Sequence, residues 1–393
     1  MKIAKIFSGD PNNQKGQFNN ILERTKKLKT IEPDVDCYII RVQQSWLMRF
    51  LKRQLYNKEF RAEYTDIQGI RFKNIWIQMS FLDYIFTFKL NKKLNIANSQ
   101  LQKHISLFSE YDLLSVHTYE AVALARLVKN NYKIPFVSTW HGSDINYRAF
   151  SNNKLEKMVA NLLDEASHNF FVSDTLKDTA LKISQKPNKT VLYTGPADIF
   201  YPYSAEKKEK LKIKYGLRQQ YTVGFIGNFV SVKNVLVLPD VFYEIQRRIP
   251  EVNFVFVGDG ELEASLRFKL NELDIKNVIF LGRFLPQEIP HILNCLDLLL
   301  LPSLNEGLPR VTLEAQACGV PVLGSNRGGI PEAIGKNNVF ELDGNFVNKI
   351  SCRATELLFS KLTIDLPSKF SWSKALEHER QVHLSSIYNR FFS

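Results

Sequence analysis

Cysteine is scarce. Cys37, Cys295, Cys318 and Cys352 stand far apart with no CxxC spacing, which excludes a disulfide framework and a zinc knuckle and fits a reducing, cytoplasmic compartment. No apolar run is long enough to span a bilayer: the longest, Ile292 to Pro302, is broken by Asp297, and the N-terminus turns polar by Ser8, before a signal peptide's apolar core would form. Short repeats and low-complexity segments are missing too, so solenoids, collagen, coiled coils and disordered tails are out. Metal-site patterns are equally lacking. The one DxD element, Asp34-Val35-Asp36, precedes a strand, the wrong end of a parallel sheet for a ligand, and reads as a solvated loop.

What is present is a globular composition, 45% apolar and 23% charged over 393 residues, enough for two cores. Strand-length apolar runs alternate with amphipathic stretches: KIAKIF, DCYIIRV, DLLSVH, PFVSTWH and HNFFVS, then YTVGFIG, VNFVFVG, VIFLG, DLLLLPS and VPVLGS. They are continuous runs, the pattern of strands buried on both faces of a parallel sheet. The expected class is α/β, two doubly wound domains in tandem with a ligand cleft at the carboxyl ends of their strands. The turn-rich stretch Tyr193 to Lys210 marks the boundary. We place a first domain over 1–200 and a second over 201–374, with a C-terminal helix of about 375–393 returning to the first.

The net charge of +12 is unevenly placed. Residues 1–100 hold 18 Lys/Arg against 9 Asp/Glu (18 − 9 = +9), residues 101–200 hold 11 against 10 (+1), and the rest 23 against 21 (+2). The first half is therefore expected to meet an anionic surface. Within it, Arg41 to Arg61 sets Leu47, Phe50, Leu51 and Leu55 at helical spacing with Arg49, Lys52 and Arg53 between them and Trp46 near the edge. This reads equally as a helix in an anionic membrane interface, each basic residue contributing ~1 kcal/mol, or as a helix packing on the sheet. A nucleic-acid binder is disfavoured, because the charge is unpatterned and no recognisable module is present.

The most specific stretch is LLLLPSLNEGLPRVTLEAQACGVPVLGSNRGGIPE. A buried strand, Leu298 to Leu301, ends in a loop with Glu306 and Gly307. A helix is expected near Pro309, and Glu314 then lies about 7.5 Å along its axis. Between the two carboxylates, the amides of Gly307, Leu308, Arg310 and Val311 point out of a helix N-terminus that favours a phosphate. Hydroxyls at both ends with phosphates in the middle is the layout of a nucleotide diphosphate sugar. Lys233 follows the loop Gly224-Phe225-Ile226-Gly227 at a helix start, where an anionic ligand would explain a cation. Val257-Gly258-Asp259-Gly260 lacks the third glycine of a dinucleotide fingerprint and reads as a strand-to-helix turn near the nucleotide.

Glu306-x7-Glu314 with Gly319-Val320-Pro321 and Gly328-Gly329-Ile330-Pro331-Glu332 resembles the signature of retaining glycosyltransferases of the GT-B fold, family 4. The resemblance extends through Lys233, Val257 to Gly260, Phe280-Leu281-Gly282 and His141-Gly142-Ser143-Asp144, and is weakest over residues 40–105. It implies two Rossmann-like domains facing across a cleft and a metal-independent, hexosyltransferase-type enzyme. Such an enzyme moves a sugar from a UDP- or GDP-sugar to a hydroxyl of a glycan or lipid-linked acceptor, as in cell-surface polysaccharide synthesis, peripheral on the inner membrane face. No cofactor beyond the donor is implied. By the same resemblance Glu314 holds the ribose, Glu306 the sugar hydroxyls, Lys233 the diphosphate, and His141 the transferred sugar, with Gly16, Asn228, Arg283, Gly307, Leu308, Pro309 and Arg310 completing the donor site. His117 is a weaker candidate. One departure stands out: Asn228 replaces the usual Arg, removing a cation from the diphosphate unless Lys15 or Arg310 compensates. The rival reading is a non-catalytic, membrane-docked GT-B scaffold; a nucleotide-sugar epimerase on the same fold is disfavoured by the two glutamates.

Overall fold

The computed structural model describes residues 1–11, 16–44, 62–79, 100–142, 144–151, 153–360 and 362–391. Lys15, Ser143 and residues 45–61 of the basic amphipathic segment lie outside them. The chain forms two compact units, Met1–Val172 with Leu176–Leu192 and Trp372–Ser393, and Ser173–Thr175 with Tyr193–Ser371. The passage at Leu192–Tyr193 lies ahead of residue 200, because the turn-rich stretch from Tyr193 onward already packs on the second core.

Among the described residues the first unit has an eight-stranded sheet in the order β3-β4-β2-β1-β5-β6-β7-β8. The strands are β1 Ile3–Ser8, β2 Val35–Gln44, β3 Tyr64–Ile67, β4 Ile70–Met79, β5 Leu113–His117, β6 Phe136–Trp140, β7 His168–Phe171 and β8 Lys189–Val191. All pair in parallel except β3, which folds back on β4 through a turn at Gln68 and Gly69, both with positive φ. Helix α1 (Gly16–Ile31) follows β1, and helix α2 (Tyr119–Tyr132) follows β5. Phe7 of β1 sits edge-on to Phe18 of α1 and Phe72 of β4, at 5.2 and 5.4 Å between ring centres, and ties helix to sheet. Asp36 lies inside β2 and accepts a 2.5 Å hydrogen bond from the Tyr111 hydroxyl. This corrects the reading of Asp34-Val35-Asp36 as all loop: the strand starts at Val35.

The second unit carries a parallel six-stranded sheet among the described residues, β11-β10-β9-β12-β13-β14. It comprises β9 Tyr221–Ile226, β10 Val252–Val257, β11 Val278–Gly282, β12 Leu298–Leu301, β13 Val322–Ser325 and β14 Val339–Phe340. Every residue of β9, β10 and β12 is buried, which is why their sequences run apolar without alternation. Helix α3 (Leu238–Arg248) buries Leu238, Val241, Phe242 and Ile245 at the 3–4 spacing of one helical face. Phe242 stacks on Phe254 of β10 at 4.1 Å. Helix α4 (Arg310–Ala317) follows β12. The final helix, α5 (Trp372–Tyr388), belongs to the first unit, where it packs on α1, β5 and β6. No helix among the described residues is long and apolar enough to cross a membrane.

Candidate functional site

In the second unit the motif residues gather at the carboxyl ends of the strands, the ligand end of a parallel sheet. After β9 the chain turns through Gly227, the half-buried Asn228 and Phe229 into a short 3-10 turn, Ser231–Lys233. Lys233 thus closes a 3-10 turn and does not open an α-helix; a second such turn precedes α3. After β10, Gly258 (φ +128°) lies so close to the Gly227 carbonyl that a Cβ would stand 2.0 Å from its oxygen. Only glycine allows this contact. The loops are laced together by Gly227 N–H to the Val257 carbonyl at 2.9 Å and Phe229 N–H to the Asp259 carbonyl at 2.8 Å. Arg283, beyond β11, donates to Asp259 Oδ1 at 2.8 Å, an exposed pair.

The loop after β12 is held on both sides. Leu304 N–H donates to the Val232 carbonyl at 2.8 Å, and Gly329 N–H to the Glu306 carbonyl at 2.9 Å. Gly328, at φ +53°, would place a Cβ 2.2 Å from the Glu306 carbonyl oxygen, so the Gly-Gly pair is what lets the β13 loop nest on the Glu306 loop. These braces bring together two groups 73 positions apart: Lys233 Nζ lies 2.5 Å from Glu306 Oε1, with side chains 22% and 16% exposed. The helix begins at Arg310 with Pro309 as its N-cap in extended backbone, one residue later than the position expected for Pro309. Its first amides, those of Arg310 and Val311, have no acceptor within the helix. Glu314, half-buried one turn on, has its carboxyl pushed up by burial, opposed by the nearby Arg310.

Arg310 is already engaged. Its guanidinium donates to the Thr194 carbonyl and hydroxyl at 3.2 and 3.1 Å and to the Gly195 carbonyl at 2.6 Å. Glu332 of the Gly-Gly-Ile-Pro-Glu run accepts from the amides of Asp174 and Thr175 at 2.6 and 2.8 Å and from the hydroxyls of Thr175 and Tyr193 at 2.7 Å. That architectural role carries no local sequence signal, since its partners lie at least 139 positions away.

In the first unit Gly16 opens α1, and His141 follows β6 directly. His117, the last residue of β5, is fully buried, with its Nδ1 3.2 Å from His141 Nε2. Reading His117 alone missed this pairing; the parallel register of His117 with Thr139 produces it. Beneath lies a buried charged group, Lys5, Arg24 and Glu379. The lysine in the apolar strand KIAKIF was its one visible trace. No group of three or more His, Cys, Asp or Glu among the described residues could hold a metal ion.

Two family profiles match in tandem: Glycosyltransferase Family 4 over residues 61–195 and Glycosyl transferases group 1 over residues 207–357. A Bacillus subtilis glycosyltransferase assigned to teichuronic acid biosynthesis, TuaC, is 27% identical over 86% of this chain and 84% of its own. The N-acetyl-alpha-D-glucosaminyl L-malate synthase of Bacillus anthracis is 31% identical over 61% of this chain and 63% of its own. Among solved structures, Anabaena HepE in complex with UDP superposes with a TM-score of 0.71 at 19% identity, covering 98% of this chain and all of that one. Sucrose-phosphate synthase of Thermosynechococcus elongatus reaches 0.74 at 14% identity, over 98% and 99%. With two parallel α/β units and both profiles in chain order, the protein belongs to the family 4 glycosyltransferases of GT-B fold.

Proposed function

We propose that the protein is a retaining glycosyltransferase that takes a UDP- or GDP-sugar as donor and a hydroxyl of a glycan or lipid-linked acceptor, in cell-surface polysaccharide or glycoconjugate synthesis. The observation that carries the reading is the Lys233–Glu306 pair at 2.5 Å beside the start of α4. It sets a cation and a carboxylate where helix amides favour a phosphate. TuaC and the Anabaena complexes with UDP and with UDP and glucose support the donor class and the pathway type.

In this reading Glu314 takes the ribose hydroxyls. Lys233 and the amides of Gly307, Leu308, Arg310 and Val311 take the diphosphate, and Pro309 fixes the helix start. Asn228 donates one uncharged hydrogen bond and Arg283 lines the donor loops; Gly16 is a donor-site candidate by the family resemblance alone. Glu306 and His141 meet the transferred sugar. By the family resemblance, transfer proceeds on the front face: the bond from the anomeric carbon to the phosphate oxygen breaks, the acceptor oxygen bonds to the same face, and the departing phosphate takes the acceptor's proton. Positioning and preorganised charge supply the acceleration without a divalent ion. The +9 of residues 1–100 favours an anionic acceptor or membrane surface. The test is transfer from a panel of nucleotide sugars with excess chelator present, reading the product anomer by NMR. An inverted product sinks retention, and metal-reversible loss sinks the electrostatic assignment. Asn228, with Arg310 engaged elsewhere, favours a second reading, a non-catalytic scaffold; nucleotide binding without turnover of any donor would establish it.

A further inference from the structure

One face of the first sheet carries an unbroken polar row. Lys5 pairs with Ser115 in register, and His117 with Thr139. Since alternate residues of a strand share a face, Lys5, Ser115, His117 and Thr139 line one side, and His141 follows directly after β6. Two helices cover it. From α1, Arg24 donates to Glu379 at 2.7 Å and to the Thr139 hydroxyl at 2.9 Å. From α5, Glu379 also accepts from Lys5 at 3.5 Å and lies 3.7 Å from His383. Lys5, Arg24, Glu379, His117 and His383 are each at most 3% exposed. Such a cluster is seldom a net gain in stability over apolar packing, which points to a specific role.

Two cations against one carboxylate leave the pocket positive, so burial and then Lys5 and Arg24 drive His117 well below the usual imidazole range and keep it neutral. A neutral ring has one N–H to place. His117 Nε2 is buried with no hydrogen-bond partner among the described residues. A proton there would be an orphaned donor in cationic surroundings, whereas an unused lone pair is tolerated. The proton therefore belongs on Nδ1, 3.2 Å from His141 Nε2.

We propose that His117 is a positioning residue for His141: its Nδ1–H donates to His141 Nε2, which places the His141 proton on Nδ1 and makes that ring a hydrogen-bond donor, not a base, toward the transferred sugar. The inference rests on the assignment of His141 to that sugar. A second proton on His141 would have to enter at Nε2, against the N–H of His117. The charged or titratable groups facing His117 from β1, α1 and α5 are Lys5, Arg24, His383 and Glu379.

The test uses the full chain labelled with 15N-histidine, with long-range proton–nitrogen correlations assigned through the H117N and H141N variants. The expected spectra show His117 protonated at Nδ1 and His141 Nε2 as a bare acceptor; a His117 proton on Nε2 overturns the proposal. With a nucleotide-sugar donor, His117→Phe should lower kcat roughly tenfold, the worth of one hydrogen bond. Its donor KM should be unchanged. His117→Asn, whose amide can replace the Nδ1–H, should retain most of kcat. An unchanged kcat in the Phe variant, or identical damage in the Asn and Phe variants, overturns the positioning role. The spectra need no turnover, so a wild type inactive toward every nucleotide sugar would refute the proposed function while the hydrogen bond is still decided.

Discussion

Glu306 and Glu314 look alike in sequence, and their surroundings separate them. Glu306 is an ion-pair partner of Lys233, so an arriving diphosphate competes with it for the same ammonium. Replacing Glu306 by Gln should therefore leave nucleotide affinity unchanged or raised, while turnover falls about 10- to 100-fold, the cost of one charged hydrogen bond. Glu314 sits instead where burial pushes its carboxyl up and only Arg310 opposes the shift, and Glu314→Ala should weaken UDP or GDP binding by about 1–3 kcal/mol. Calorimetric titration of both variants with nucleotide alone checks the pair; equal losses would show that the two roles are not distinct. Asn228→Arg should strengthen nucleotide binding if the diphosphate lacks a cation, and an unchanged Kd would mean the charge is supplied elsewhere. The loops that carry Glu306, Glu314, Lys233 and the glycines were legible as contiguous motifs after buried strands. The His117–His141 contact and the roles of Glu332 and Glu379 were not, since each depends on strand register or on a partner far away in sequence.

Among the elements, runs such as YTVGFIG and DLLLLPS announced themselves through unbroken apolarity, which double-sided burial demands. Strand β8, three residues long, and β14, two residues long, are too short to show a period. The β3–β4 hairpin escaped notice because β4 mixes Arg71, Lys73 and Asn74 with Ile70, Phe72, Ile75 and Ile77, an edge-like alternation unlike the buried strands. The loop after β13 offers an element-level test. Gly328→Ala forces a Cβ to 2.2 Å from the Glu306 carbonyl at positive φ, so the two loops must part. The expected costs are about 1–3 kcal/mol of second-unit stability and a weaker nucleotide titration. Gly344, with nothing within 4 Å of an added Cβ, is the control: Gly344→Ala should change neither.

At the scale of the molecule the two units differ in what their cores contain. The second is closed by apolar and aromatic packing, as in the Phe242–Phe254 and Phe256–Phe280 stacks at 4.1 and 4.8 Å; the first encloses Lys5, Arg24, Glu379, His117 and His383. Acid should therefore loosen the first unit earlier. Burial, only partly offset by Glu379, lowers His383 from 6.5 to about 4. Between those values the unfolded chain binds the proton and the folded one does not, so stability falls as pH drops through that window, by on the order of 3 kcal/mol for this group. Glu379 acts next. Burial would raise its carboxyl, but Arg24 and Lys5 hold it well below the usual range, so its contribution is complete above about pH 4.5 and drains away as pH falls further. Lys5, lowered to about 8 by burial against Glu379, adds stability only as pH rises from about 8 toward 10.5. All three groups thus favour higher pH in successive windows. The stretches that form the second unit contain no tryptophan, so tryptophan emission does not report that unit's unfolding, while helical circular dichroism reports both units. The emission midpoint in urea should decline from pH 7 to pH 4.5. Glu379→Gln, which strands two buried cations, should cost about 3–5 kcal/mol at pH 7. Lys5→Met, which removes one of them, should soften that loss when combined with Glu379→Gln. A midpoint independent of pH across 4.5–7 would place the ionisation of this cluster outside the folding equilibrium of the first unit.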